Sequence, residues 1–141
     1  MKNHAGFRIL AAFMGIYHLG MGIFGSFSGD MASKVANVMW GAHVVIDPQF
    51  SYMAKFLGAY VIAFGLMMLF IAKDPVRYSS LVYVAVVLAV IRILNRVVFS
   101  GDLHAAFSIA PSRMIGTIIG VALLNLGLLL LKPKAAEAAA N

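Results

Sequence analysis

The chain has 141 residues, 62% of them apolar and 11% charged, with a net charge of +6 and no cysteine. Soluble domains carry about 25% charged residues, so most of this surface is expected to face lipid rather than water. The basic residues stand in ones and twos beside apolar runs, a pattern of topology signals that excludes a nucleic-acid groove, and the absence of thiols excludes disulfides, thiolate metal sites and iron–sulfur clusters.

Lys2 and Arg8 precede an apolar run much as in a secretory leader. Tyr17 and His18 interrupt that run, and it is expected to be retained as the first span, residues 9–27. A helix needs about 20 residues to cross the hydrocarbon. Gly15, His18, Gly22 and Gly25 lie along one stripe of this helix. Small residues allow a second helix to approach closely, which assigns these glycines to helix packing. His18 falls near mid-membrane, where a polar ring needs a partner. The plain reading is a hydrogen bond inside the bundle. The functional ones are a haem or metal ligand, a quinone contact or a proton step, although no other span offers a histidine for a haem pair.

The span ends in Phe27-Ser28-Gly29-Asp30, where Gly is expected to turn the chain and Asp to cap the next helix. Residues 31–46 then place Met31, Val35, Val38, Met39, Ala42, Val45 and Ile46 on one helical face. This predicts an interfacial helix anchored by Trp40. Residues 56–72 form the second span, bounded by Lys55 and Lys73, with Gly58 and Gly65 on its packing face.

The third span, 78–99, has no glycine and carries Arg92, Asn95 and Arg96 on one face. An arginine deep in a bilayer costs at least ~2.5–3.5 kcal/mol on insertion scales. Structural compensation would come from snorkelling and pairing with Asp30, Asp47 or Asp102. The functional alternative is a pocket for a lipid phosphate, a quinone or a carboxylate, whose oxygens suit the planar guanidinium fork. The fourth span, 114–131, contains the GxxxG pair Gly116 and Gly120.

Phe99-Ser100-Gly101-Asp102 repeats the earlier tetrapeptide, and Arg113-Met114-Ile115-Gly116 mirrors Lys55-Phe56-Leu57-Gly58. The expected fold is therefore an all-α integral membrane protein. It is a four-transmembrane-helix bundle of two parallel hairpin repeats, with short interfacial helices on the outer side. Residues 1–134 form the membrane domain and 135–141 a flexible tail. The Lys/Arg bias places both termini in the cytoplasm. His43, His104 and three aspartates gather outside, but without the spacing of a metal site. Walker A, dinucleotide and nucleophile-elbow motifs are missing, and so is a usable carboxylate pair.

This layout resembles the DoxX-like group of small four-helix bacterial membrane proteins. The likeness rests on Arg8 before a glycine-rich helix, the amphipathic outer stretch, Phe56-Leu57-Gly58-Ala59-Tyr60 to Gly65, and Arg92 with Arg96 late in the third span. It implies residence in the bacterial inner membrane and a quinone or partner subunit, but no catalytic residue. The leading expectation is a non-catalytic accessory subunit that binds lipid and docks other subunits or a second copy through glycine-rich faces. A quinone-linked redox subunit using His18, Arg92, Asn95 and Arg96 is the alternative, and a small transporter or lipid-binding protein follows.

Overall fold

The computed structural model describes residues 4–133. Its elements are α1 (Ala5–Phe27), α2 (Gly29–Trp40), α3 (Pro48–Lys73), α4 (Leu81–Val98), α5 (Ser100–Phe107) and α6 (Pro111–Leu131), and no strand occurs among the described residues. Four of them, of 23, 26, 18 and 21 residues, are long and apolar enough to cross a membrane. The chain is a multi-pass membrane protein built as a four-helix bundle. Its order is long, short, long, repeated once. Lys2, Lys134 and the expected 135–141 tail lie outside the described residues.

Both ends of the described chain and the 74–80 turn lie on one side, called here the near side. The two short helices and the loops that follow them lie on the far side.

Several boundaries differ from expectation. The helix expected over 31–46 starts at Gly29, where Ser28 Oγ accepts from the Met31 amide at 3.1 Å. It stops at Trp40, because Gly41 adopts a left-handed conformation (φ 68°) and returns its amide to the α2 carbonyls. Glycine meets that geometry without a Cβ penalty. Residues 41–47 are not helical, so Val45 and Ile46 do not belong to the amphipathic face. The helix expected from residue 56 begins eight residues earlier, at Pro48, with the Asp47 carboxylate accepting from the Phe50 amide at 2.6 Å. Proline at the first helical position lacks the amide that would otherwise go unpaired there. The helices expected from 9, 78 and 114 start at Ala5, Leu81 and Pro111.

The two tetrapeptides behave differently. Ser28 is extended (φ −157°, ψ 163°) and breaks the chain between α1 and α2. Phe99 stays close to helical (φ −103°, ψ 30°), so α5 almost continues α4. Neither Gly29 nor Gly101 has the left-handed backbone expected of it. That conformation falls instead on Gly41 and Ser108, each ending the outer helix of its repeat. The repeats meet on the far side, where the His43 amide donates to the Phe107 carbonyl at 2.8 Å.

The closest packing joins α1 to α3, running antiparallel. A Cβ on Gly15 would lie 3.0 Å from the Gly65 carbonyl oxygen, and one on Gly65 2.9 Å from that of Gly15. Gly22 and Gly58 face each other in the same way, at 2.9 and 3.0 Å. The seven-residue spacing is identical on both helices, so the backbones touch at two levels. Lipid tails are as apolar as leucine, so close van der Waals contact and weak Cα–H···O interactions hold such a pair. Gly29 is similarly covered by Ser51 and Ile46.

The main buried cluster lies in the near half, with Ala32, Ala42 and Ile109 buried separately on the far side. Phe7, Ala11 and Met14 of α1 meet Met68, Ile71 and Ala72 of α3, Val82 and Ala85 of α4, and Leu128 of α6. Arg8 secures this end, its Nε donating to the Ala72 carbonyl in the last turn of α3 at 3.0 Å. Cations there complement the helix dipole. Toward the far side, α4 and α6 turn outward-facing: Ile91, Leu94, Val97, Val98, Ile115 and Ile119 are all exposed. The bundle is closed at one end and open at the other.

Candidate functional site

The open half carries the polar side chains. His18 Nδ1 lies 2.7 Å from the Met14 carbonyl oxygen. A carbonyl only accepts, so Nδ1 carries the proton and, in the neutral ring, Nε2 is left as an acceptor. The ring packs edge-on against Phe64 of α3, with centroids 4.6 Å apart, and against Tyr17 at 5.2 Å. The pairing expected for a half-buried membrane histidine is therefore made within its own helix.

Arg92, Asn95 and Arg96 share the far-side face of α4, with Arg92 and Asn95 exposed and Arg96 half-buried. Arg96 lies over the Trp40 ring, 5.8 Å from its centroid. Two residues of α4 and α2 that look independent in sequence thus meet.

Of the acidic partners expected for the arginines, Asp30 and Asp102 stand in the first turns of the short helices α2 and α5. Asp47 caps α3, and no aspartate or glutamate occurs in α1, α3, α4 or α6. Among the described residues, the contact made by the Arg96 guanidinium is aromatic. A cation over an indole face is worth ~0.5–1 kcal/mol at exposed sites and more where water is excluded. Trp40 is the single tryptophan of the chain, so its emission reports this contact directly. Arg96→Gln is expected to change the intensity and wavelength of that emission in detergent, whereas Arg77→Gln, in the near-side turn where its guanidinium lies over Tyr78, leaves it unchanged.

The remaining glycines differ in their surroundings. Gly15, Gly22, Gly58 and Gly65 are spent on the α1–α3 contact, but nothing lies within 4 Å of where a Cβ would stand on Gly20, Gly25, Gly116 or Gly120. The packing role expected of Gly25, Gly116 and Gly120 is therefore not realised inside the chain. Their helix faces point away from every other helix of this protein.

One polar residue was not singled out in sequence. Asn125, between leucines of α6, is 8% exposed. Its Nδ2 donates to the Val121 carbonyl at 2.9 Å, and its Oδ1 is buried without a partner. An amide set in a run of leucines was the visible signal.

Two grooves flank α2. One, of about 400 Å³, runs between α1 and α2, with Ile16, Tyr17 and Phe24 facing Val35, Val38 and Met39. The other, about 350 Å³, is mixed, with Ser33, Lys34, Asn37 and His43 beside Val38, Ala42 and Val44. Lys34 and Val38 border both. No group of three or more metal-ligating side chains occurs among the described residues. The described residues of this half offer cations, an acceptor nitrogen and aromatic edges. No family model, curated protein or solved structure matches this chain.

Proposed function

We propose that this protein is a non-catalytic accessory subunit of a larger inner-membrane complex, with its termini in the cytoplasm. The observation that carries this reading is the unequal use of its glycines. Four are consumed by the α1–α3 contact, while Gly116 and Gly120, in a GxxxG spacing, face outward from α6 with open space around them. A second membrane helix, from another subunit or a second copy, fits such a face. The Arg92–Asn95–Arg96 face of α4 adds polar groups for a neighbouring subunit or a lipid headgroup. The Lys/Arg bias of the sequence supports this orientation, with Lys2, Arg8, Lys73, Arg77, Lys132 and Lys134 flanking the cytoplasmic ends against Lys34, Lys55 and Arg113, or five with Arg92 and Arg96.

The test is extraction of the tagged protein from its native membrane in a mild detergent. Co-purification of defined membrane partners, or of a second copy, lost on Gly116→Leu/Gly120→Leu substitution is the expected result. A monodisperse monomer with no companion overturns it.

A quinone-linked redox subunit, as in the DoxX-like resemblance, is the second reading. It is favoured by His18, whose Nδ1 is engaged by the Met14 carbonyl and whose neutral ring leaves Nε2 as an acceptor. Quinone analysis of the purified protein decides it. Bound quinone lost in His18→Ala supports this reading, and its absence from the unaltered protein removes it.

A further inference from the structure

The mixed and the apolar groove beside α2 share Lys34 and Val38 as a common wall, and together they present polar groups next to an apolar channel, the division of a lipid molecule. We infer that they form a binding site for a phospholipid with an anionic headgroup on the far side of the membrane. The phosphate sits by the Lys34 ammonium, and one acyl chain lies in the cleft between α1 and α2.

The apolar cleft reaches deep. Ile16 stands 11 residues before the end of α1 at Phe27, roughly 16 Å along the axis at 1.5 Å per residue. A chain laid against Phe24 and then Tyr17 descends into the bilayer interior, as an acyl tail must. Gly20 leaves this cleft open, since no atom lies within 4 Å of its missing Cβ.

Charge selects the headgroup. Lys34 is exposed and borders both grooves. Ser33 and His43 supply further polar atoms at the headgroup end. Asp30 precedes Lys34 by one turn of α2 but lines neither groove. A basic side chain near an anionic lipid surface contributes about 1 kcal/mol, roughly fivefold in affinity. A neutral zwitterionic headgroup gains much less.

This site is separate from the α6 face, and its test is independent of the subunit reading. The purified full chain is reconstituted into nanodiscs of phosphatidylcholine, with or without phosphatidylglycerol. Lipid retained after transfer to mild detergent is counted by native mass spectrometry. Retention of one phosphatidylglycerol, favoured roughly fivefold or more over phosphatidylcholine, is expected. Lys34→Gln should cut that preference severalfold, and Lys55→Gln, on the same side but outside both grooves, should preserve it. A Cβ on Gly20 meets nothing within 4 Å, so Gly20→Leu projects into the cleft, and with the denaturation midpoint of the parent retained the bound lipid is lost.

Equal retention of the two lipids overturns the inference, as does unchanged retention in Gly20→Leu. Displacement of the lipid by millimolar inorganic phosphate would assign the site to a free anion instead and also overturns it. So does a dimer in which the cleft is protected by a second copy.

Discussion

Gly65→Leu separates α1 from α3 and destabilises the protein more than any substitution on the open faces. Even the first added carbon would stand 2.7 Å from the Leu19 amide nitrogen and 2.9 Å from the Gly15 carbonyl oxygen. Both are backbone atoms and cannot swing aside. Gly22 is equally confined, by the Ile62 amide at 2.8 Å and the Gly58 carbonyl at 2.9 Å. Overpacking a formed core costs about 1–3 kcal/mol. Here the cost is expected at or above the top of that range, because the helices must move apart along their length. Gly116→Ala is the matched control. It meets nothing within 4 Å, and removing a helix-interior glycine gains up to about 1 kcal/mol. The midpoint of denaturation in mixed micelles distinguishes the two. A Gly65→Leu protein as stable as its parent would show that the α1–α3 backbones are not in contact.

Asn125→Leu is expected to stabilise the isolated chain, and Asn125→Asp to damage it. The side chain is 8% exposed, with Nδ2 bonded to Val121 and Oδ1 unpaired. An unsatisfied buried acceptor costs about 1–3 kcal/mol, and replacement by an apolar group of similar size removes that cost. An ionised carboxylate at the same depth costs roughly 2.5–3.5 kcal/mol on insertion scales. The same denaturation experiment reads both. A Leu variant less stable than the parent would show that Oδ1 has a partner in the intact protein. Stability gained by Asn125→Leu, with loss of a co-purifying subunit, would assign Oδ1 to that subunit.

The four spans were legible because each is a continuous apolar run, and in a bilayer the helix alone satisfies its own backbone within one segment. Their ends were less so. Lys55 and Arg113 look like boundaries when every charge is taken as a stop. Long basic side chains reach the interface from inside a helix, and the true start of α3 is signed by Asp47-Pro48. The outer helix stops at Gly41, not residue 46, because one left-handed residue outweighs an apolar face that continues past it.

The glycine stripes show a different limit. Gly15, Gly22, Gly58 and Gly65 match in spacing across two antiparallel helices, whereas Gly116 and Gly120 form an equally good motif that no helix of this chain meets. A small residue permits approach, but which helix approaches depends on tertiary geometry. For the same reason Arg96 and Trp40 gave no sign in sequence of lying together. Ligand, partner and reaction are not encoded in such spacing at all.

The unequal division of contact between the two repeats bears on biogenesis. α1 through α3 hold their own tightest interface, and α4 and α6 contribute only Val82, Ala85 and Leu128 to the shared core. A nascent chain emerging amino end first can clasp its leading hairpin while the trailing one is still on the ribosome. The later segments then dock onto a finished template.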